Sequence, residues 1–161
     1  MLPAATDAAL RAHVRALLTQ GQAHLTAEAV LADFPLKSIN RRWAGVPYSA
    51  FEVLWHLRFT QRDILDFVRP APYEAVPWPQ AYWPQKKEGS AQDWQNQVQA
   101  FRHDQAALLE LLDDPHTDLL ALVPNGKEDQ TWLRAFLLVA DHNAYHLGQL
   151  VLLERLSTGE A

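Results

Sequence analysis

The sequence predicts an all-α fold: a four-helix bundle in a single domain over residues 1–161, with its helices in up-down-down-up order. Three observations carry this. Apolar residues recur at helical spacing in four long segments. Capping residues and prolines bracket those segments. One stretch, 70–89, is too rich in proline for helix, yet long enough to carry the chain back along the bundle. A helix of about 20 residues is about 30 Å long, and a crossover of similar residue count covers that at roughly 3.3 Å per residue. With 161 residues the chain has the size of one domain.

The elements follow in order. Leu10, Val14, Leu17, Leu18, Leu25 and Leu31 form an apolar stripe that predicts a first helix from Thr6 to Asp33, stopped by Pro35. Gly21 is its weak point, since glycine costs about 1 kcal/mol relative to alanine inside a helix. Ser49-Ala50-Phe51-Glu52 is a capping box that opens a second helix, which runs to Arg69 and ends before Pro70. Residues 70–89 hold Pro70, Pro72, Pro77, Pro79 and Pro84 together with Trp78, Tyr82 and Trp83. Proline removes amide donors, and the aromatics do not suit a solvated linker, so the segment reads as an ordered crossover packed over the bundle. Ser90 and Asp93 open a third helix carrying Trp94, Val98, Phe101, Leu108, Leu109 and Leu112, which ends by Pro115. A loop over 114–128 closes on Pro124-Asn125-Gly126, and a fourth helix covers Gln130 to Leu156. Short connections make helices one and two, and three and four, antiparallel neighbours, while the long crossover leaves two and three parallel.

Composition narrows the function. No cysteine is present, which excludes disulfides, zinc ribbons, iron–sulfur clusters and a thiol nucleophile supplied by the chain. Any metal site must use histidine, carboxylate or water. The net charge of −5 and the scattered basic residues argue against nucleic-acid binding. No basic flank precedes an apolar core at the N-terminus, and no apolar stretch approaches the ~20 residues of a membrane helix, so the expectation is a cytoplasmic protein with no membrane partner.

The fourth helix is apolar nearly all round, which predicts burial among neighbours. His142 and His146 are four apart and point the same way, on the arc of Leu138, Val139, Leu150 and Leu153. Imidazoles among aliphatic residues need partners. A divalent ion would satisfy both; so would a backbone carbonyl or an acid for each. The zinc-protease reading of a helical His-x-x-x-His fails, because Asn143 stands where that motif needs Glu. In the second helix, His56 shares a stripe with Glu52, Thr60, Asp63, Phe59 and Phe67. If this helix packs on the fourth, His56, His142 and His146 make a three-nitrogen set with positions open for water or substrate. Such an ion lowers the pKa of bound water to about 7 and deprotonates a bound thiol. Glu52 and Asp63 are then candidates to support the ligands or to act as general base, or else they pair with arginines. His13, His24, His103 and His116 lie in polar contexts and read as surface residues. Trp78 and Trp83 either line a substrate mouth or pack the crossover. Di-iron chemistry does not fit, since it needs Glu-x-x-His motifs and Glu52 is four residues from His56.

Leu54-Trp55-His56-Leu57 and the run from Asp141 through His142, Tyr145 and His146 to Gln149-Leu150 resemble the DinB/YfiT-like superfamily. The resemblance extends over essentially the whole chain. It implies a bundle with one divalent metal, zinc or nickel with iron or manganese as alternatives, held by His56, His142 and His146. It also implies a homodimer, a small-molecule substrate and, in some relatives, transfer or isomerisation chemistry with a low-molecular-weight thiol such as bacillithiol, mycothiol or glutathione. The leading expectation is therefore a metal-dependent thiol S-transferase or hydrolase. The alternatives are a non-catalytic metal- or ligand-binding stress-response bundle and a bundle with three satisfied core histidines.

Overall fold

The computed structural model describes residues 2–159; Met1, Glu160 and Ala161, the ends of the expected domain, lie outside the described residues. The chain is all-helical, with α1 Ala4–Thr19, α2 Ala27–Ala32, α3 Ala50–Val68, α4 Ala91–Asp113 and α5 Trp132–Thr158, plus single 3-10 turns at Leu36–Ser38 and Gln80–Tyr82. Among the described residues there is no strand, only an isolated bridge between Leu122 and Thr131.

Helix starts follow local chemistry. The Ser49 hydroxyl accepts from the Glu52 amide while Glu52 accepts from the Ser49 amide, and Ser90 and Asp93 repeat the exchange at α4. Thr131 caps α5 by accepting from the Arg134 amide. At its other end α3 stops at Arg69, and the Asn125 side-chain amide reaches back to the carbonyls of Phe67, Arg69 and Ala71. The expected turn at Pro124-Asn125-Gly126 thus also closes the end of α3.

The first helix departs from expectation. Instead of one helix from Thr6 to Asp33, α1 ends at Thr19, the chain turns extended at Gln20, and α2 restarts at Thr26, whose hydroxyl accepts from the Ala29 amide. Gly21 sits in the break, where a Cβ would come within 3.0 Å of the His24 carbonyl oxygen. Helix restarts where a good N-cap is available, and the sequence provides it at Thr26. Two leucines of the expected stripe are displaced with the break: Leu17 and Leu25 are about half exposed (47% and 51%).

Helix α3 is central and packs along both α4 and α5. Two apolar clusters fill the bundle. One gathers Phe51, Leu54, Leu57, Trp94, Phe101, Leu147 and Leu150; the other gathers Leu65, Leu108, Leu112, Phe136 and Val139. A polar layer falls between them. Gln61 donates to the Phe101 carbonyl (2.8 Å) and accepts from the Asn143 amide (3.0 Å), joining α3 to α4 and α5. Asp104 in the same layer is buried and faces Arg62 at 3.4 Å. The crossover returns to the core at Gly89, whose N–H and C=O are both held by the Asn40 side chain (2.9 and 2.8 Å). Helix α5 is less enclosed than its apolar sequence predicts. It packs on α3, α1 and α2, and Leu137, Leu138, Tyr145 and Leu152 remain exposed on its outer side.

Candidate metal centre

Three histidines converge where α3 faces α5. His56 comes from the second turn of α3; His142 and His146 lie one turn apart on α5. One nitrogen from each lies within 4.8 Å of the others. The Nε2 atoms of His56 and His142 are 3.2 Å apart, and the ring centroids of the three pairs are 4.4 to 5.0 Å apart. His56 and His146 are buried and His142 is partly so.

Outer hydrogen bonds set which nitrogen faces inward. His56 Nδ1–H donates to the Tyr82 carbonyl (2.6 Å), and His146 Nδ1–H donates to Gln149 Oε1 (2.9 Å). In a neutral imidazole the other nitrogen then carries a lone pair. His142 Nδ1 is buried with no partner among the described residues. Either His142 puts its proton between the two Nε2 atoms and leaves a buried acceptor bare, or two lone pairs face each other at 3.2 Å. A cation removes that conflict, so the donor set fits a divalent ion.

The electrostatics agree. Burial depresses the pKa of His142 to about 3, helped by the neighbouring His146 and His56. Burial takes His146 down to about 4, against the Gln149 bond. Burial also lowers His56, partly offset by its bond to Tyr82. All three are neutral at pH 7, the form that binds metal. Stability should follow. Between the ordinary histidine pKa near 6.5 and these depressed values, the unfolded chain binds more protons than the folded one, so stability rises with pH across this window. The metal-free protein should hold a constant urea midpoint above about pH 7 and lose stability steadily as pH falls from about 6.5 toward 5. A midpoint that stays flat over that range would contradict neutral burial of these rings.

Aromatic rings wall the cluster. Trp83 stacks on both His56 (4.2 Å, 7°) and Tyr48 (3.7 Å, 9°). The Tyr145 ring meets His146 edge-on at 4.8 Å. A cavity of about 300 Å³ lies next to this wall, lined by Val46, Tyr48, Val53, Tyr145, Gln149 and Leu153. Among the described residues no charged side chain lines it.

The two candidate carboxylates sit outside the triad. Glu52 is 1% exposed and bound by the Ser49 amide (2.9 Å) and Arg42 (2.5 Å), with Lys87 at 3.4 Å. Burial raises its pKa, but the Ser49 amide and the Arg42 guanidinium outweigh that, and the net shift is downward. Asp63 accepts from the Tyr73 hydroxyl (3.0 Å) and the Tyr82 hydroxyl (2.6 Å). His13, His24, His103 and His116 are exposed, as their contexts predict. Trp83 is expected either at a substrate mouth or in the packing of the crossover, and nothing local in the sequence points Tyr82 to the site. Both contact His56 from the irregular crossover, and the only signal for them was its aromatic density.

A family model described as the DinB superfamily matches residues 21–150, which include all three histidines, the whole of α3 and α5 as far as Leu150. No curated protein and no solved structure matches the chain. On that match, together with the helical fold and the histidine cluster, the chain belongs to the DinB superfamily.

Proposed function

We propose that this chain is a metal-dependent enzyme in which His56, His142 and His146 hold one divalent ion, zinc or nickel with iron or manganese as alternatives, and that it acts on a small molecule as a thiol S-transferase or a hydrolase. The observation that carries this reading is the convergence of three neutral imidazoles, two with their outer nitrogens fixed by oxygen acceptors. When bound, the ion supplies Lewis acidity, favouring the deprotonated form of a water or thiol. The chain supplies the rest. Tyr82 and Gln149 fix the tautomers of His56 and His146. Trp83 covers one face of His56, and the neighbouring cavity gives room for an apolar part of the substrate. With no cysteine in the chain, any thiol must arrive as a cosubstrate. We assign Asp63, through Tyr82, to support of the ligands and Glu52 to its capping box and ion pairs, rather than either to proton transfer, because both carboxylates already have partners.

That same commitment of both acids favours a second reading, a non-catalytic metal- or ligand-binding bundle in a stress response. A screen separates the two. Zinc-loaded protein with bacillithiol, mycothiol or glutathione and a reactive electrophile should give turnover with at least one thiol, absent in the zinc-free protein. No turnover with any thiol, and none with activated esters, would leave the binding reading.

Three further expectations belong to this proposal. The up-down-down-up order is supported by contact registers: Arg58–Gln97, Gln61–Phe101 and Arg62–Asp104 advance together along α3 and α4, whereas Leu18–Gln105 and Arg15–Asp113 run oppositely along α1 and α4. A homodimer is supported by Leu138, Tyr145 and Leu152, spaced seven apart and exposed on α5. A cytoplasmic location is consistent with the described residues having no helix long and apolar enough to cross a membrane.

A further inference from the structure

Tyr82 is held by α3 at two points. Its hydroxyl donates to Asp63 Oδ2 at 2.6 Å, and its carbonyl accepts from His56 Nδ1 at 2.6 Å. His56 and Asp63 are seven residues apart on one helix and so share a face. The residue that links them lies in a crossover with a single short 3-10 turn, flanked by Pro79 and Pro84, neither of which can donate a backbone hydrogen bond. The turn gives Tyr82 one backbone bond, from its N–H to the Pro79 carbonyl (3.2 Å), and side-chain anchors add to it in placing the Tyr82 carbonyl. Asp63 is the strongest of them: it binds Tyr82 and Tyr73 with one oxygen each. The Tyr82 ring also rests edge-on against Phe59 and Trp78 (5.3 and 5.0 Å), which orient the ring without fixing its hydroxyl. The next residue, Trp83, stacks on His56 itself.

We propose that Asp63 is a positioning residue for the histidine cluster, acting through Tyr82 to hold His56 in the Nδ1–H tautomer with Nε2 turned toward His142 and His146. This rests on the reading of the three histidines as metal ligands, but its first consequence concerns His56 alone. Free histidine prefers the opposite tautomer, so a fixed carbonyl is what selects the ligating form. The two tyrosine hydroxyls remain donors throughout the working pH range: burial and the neighbouring Asp63 raise Tyr73 to about 12 and raise Tyr82 further.

Long-range proton–nitrogen imidazole spectra of the metal-free protein read the tautomer directly. Wild type should show His56 as the Nδ1–H form. Tyr82→Phe, which keeps the carbonyl and removes only the hydroxyl, and Asp63→Asn should each shift His56 toward a mixture. Zinc affinity, measured by competition with a chromogenic chelator, should weaken roughly tenfold to a hundredfold in both. The double variant should lose no more than either single one, because both act through one bond. Tyr73→Phe removes the other partner of Asp63 and should leave tautomer and affinity unchanged; a purely structural role for Asp63 would move stability in all of these variants without moving the tautomer. If His56 keeps the Nδ1–H form and zinc affinity is unaltered in Tyr82→Phe and Asp63→Asn, the positioning role is wrong while the metal site stands. If wild type takes up no zinc, the metal reading fails, and the spectra still decide the role of Asp63.

Discussion

Replacing His142 with alanine should take the zinc content of the purified, tag-free protein from about one ion per chain to near zero. His142 contributes one of three inward nitrogens, and its Nε2 is the one that faces His56 at 3.2 Å. Two remaining imidazoles make a much weaker site, because a zinc centre normally draws three or four protein ligands. The stability consequence has two parts of different size. Zinc at a hundred times its dissociation constant stabilises the folded state by about 2.7 kcal/mol. Wild type should therefore melt several degrees higher with zinc, and the variant should not respond. The metal-free variant, by contrast, should lose little relative to metal-free wild type. The side chain removed has a depressed pKa of about 3 and a buried Nδ1 without a partner, so its departure also removes a desolvation penalty. That split distinguishes loss of a site from loss of a fold. Full zinc occupancy in the variant would overturn the ligand assignment, and His13→Ala, at an exposed position, should change nothing.

Gly89→Ala should destabilise the protein, whereas Gly148→Ala should not. A Cβ on Gly89 would lie 2.2, 2.4 and 2.7 Å from three carbons of the Phe51 ring. Phe51 is 3% exposed and packed within the cluster around Leu54 and Trp94, so its ring has no free space to swing into. Asn40 holds both backbone groups of Gly89, which prevents the backbone from backing away. Overpacking of this kind costs about 1–3 kcal/mol, or roughly 2–4 °C in Tm for each kcal/mol at this chain length. Gly148 is within α5, and a Cβ there meets nothing within 4 Å. Alanine should raise stability there by about 0.5–1 kcal/mol, through helix propensity and a less flexible unfolded chain. Thermal melts of the two variants in parallel check the pair. Equal effects of the same sign would show that the crossover is not seated against Phe51.

The helices were legible because their signals are local. Both capping boxes, at Ser49 and Ser90, lie where the four-residue pattern places them, and α3 ends at the residue before Pro70. Gly21 marks the weak point of the first helix, but the spacing of the leucines conceals a complete break, after which Val30 and Leu31 join a different cluster from Val14 and Leu18. The histidine pair was legible from its spacing, and His56 from the stripe around it. What could not be read was everything contributed by the crossover. Contacts such as Tyr82 with His56 and Asn40 with Gly89 join residues 26 and 49 apart through irregular backbone, and irregular backbone has no period to read. The two acids show the same limit. Glu52 could be placed in a capping box from four consecutive letters, yet its ion pairs with Arg42 and Lys87 depend on how two loops fold back. Asp63 carried no local signal of its tyrosine partners.

The amide pair of Gln61 and Asn143 works as an alignment mark for α5. Sliding α5 by one turn, about 5.4 Å, would shift every apolar residue that α5 gives to the two clusters. It would also separate Asn143 from Gln61, stranding the Gln61 oxygen and the Asn143 NH2 in the buried layer while Gln61 keeps its bond to the Phe101 carbonyl, a penalty of about 1–3 kcal/mol for each stranded group. Asn143 is the immediate neighbour of His142, so the same slip would carry both α5 histidines past His56. The polar pair thus marks the one depth of α5 at which three imidazoles meet.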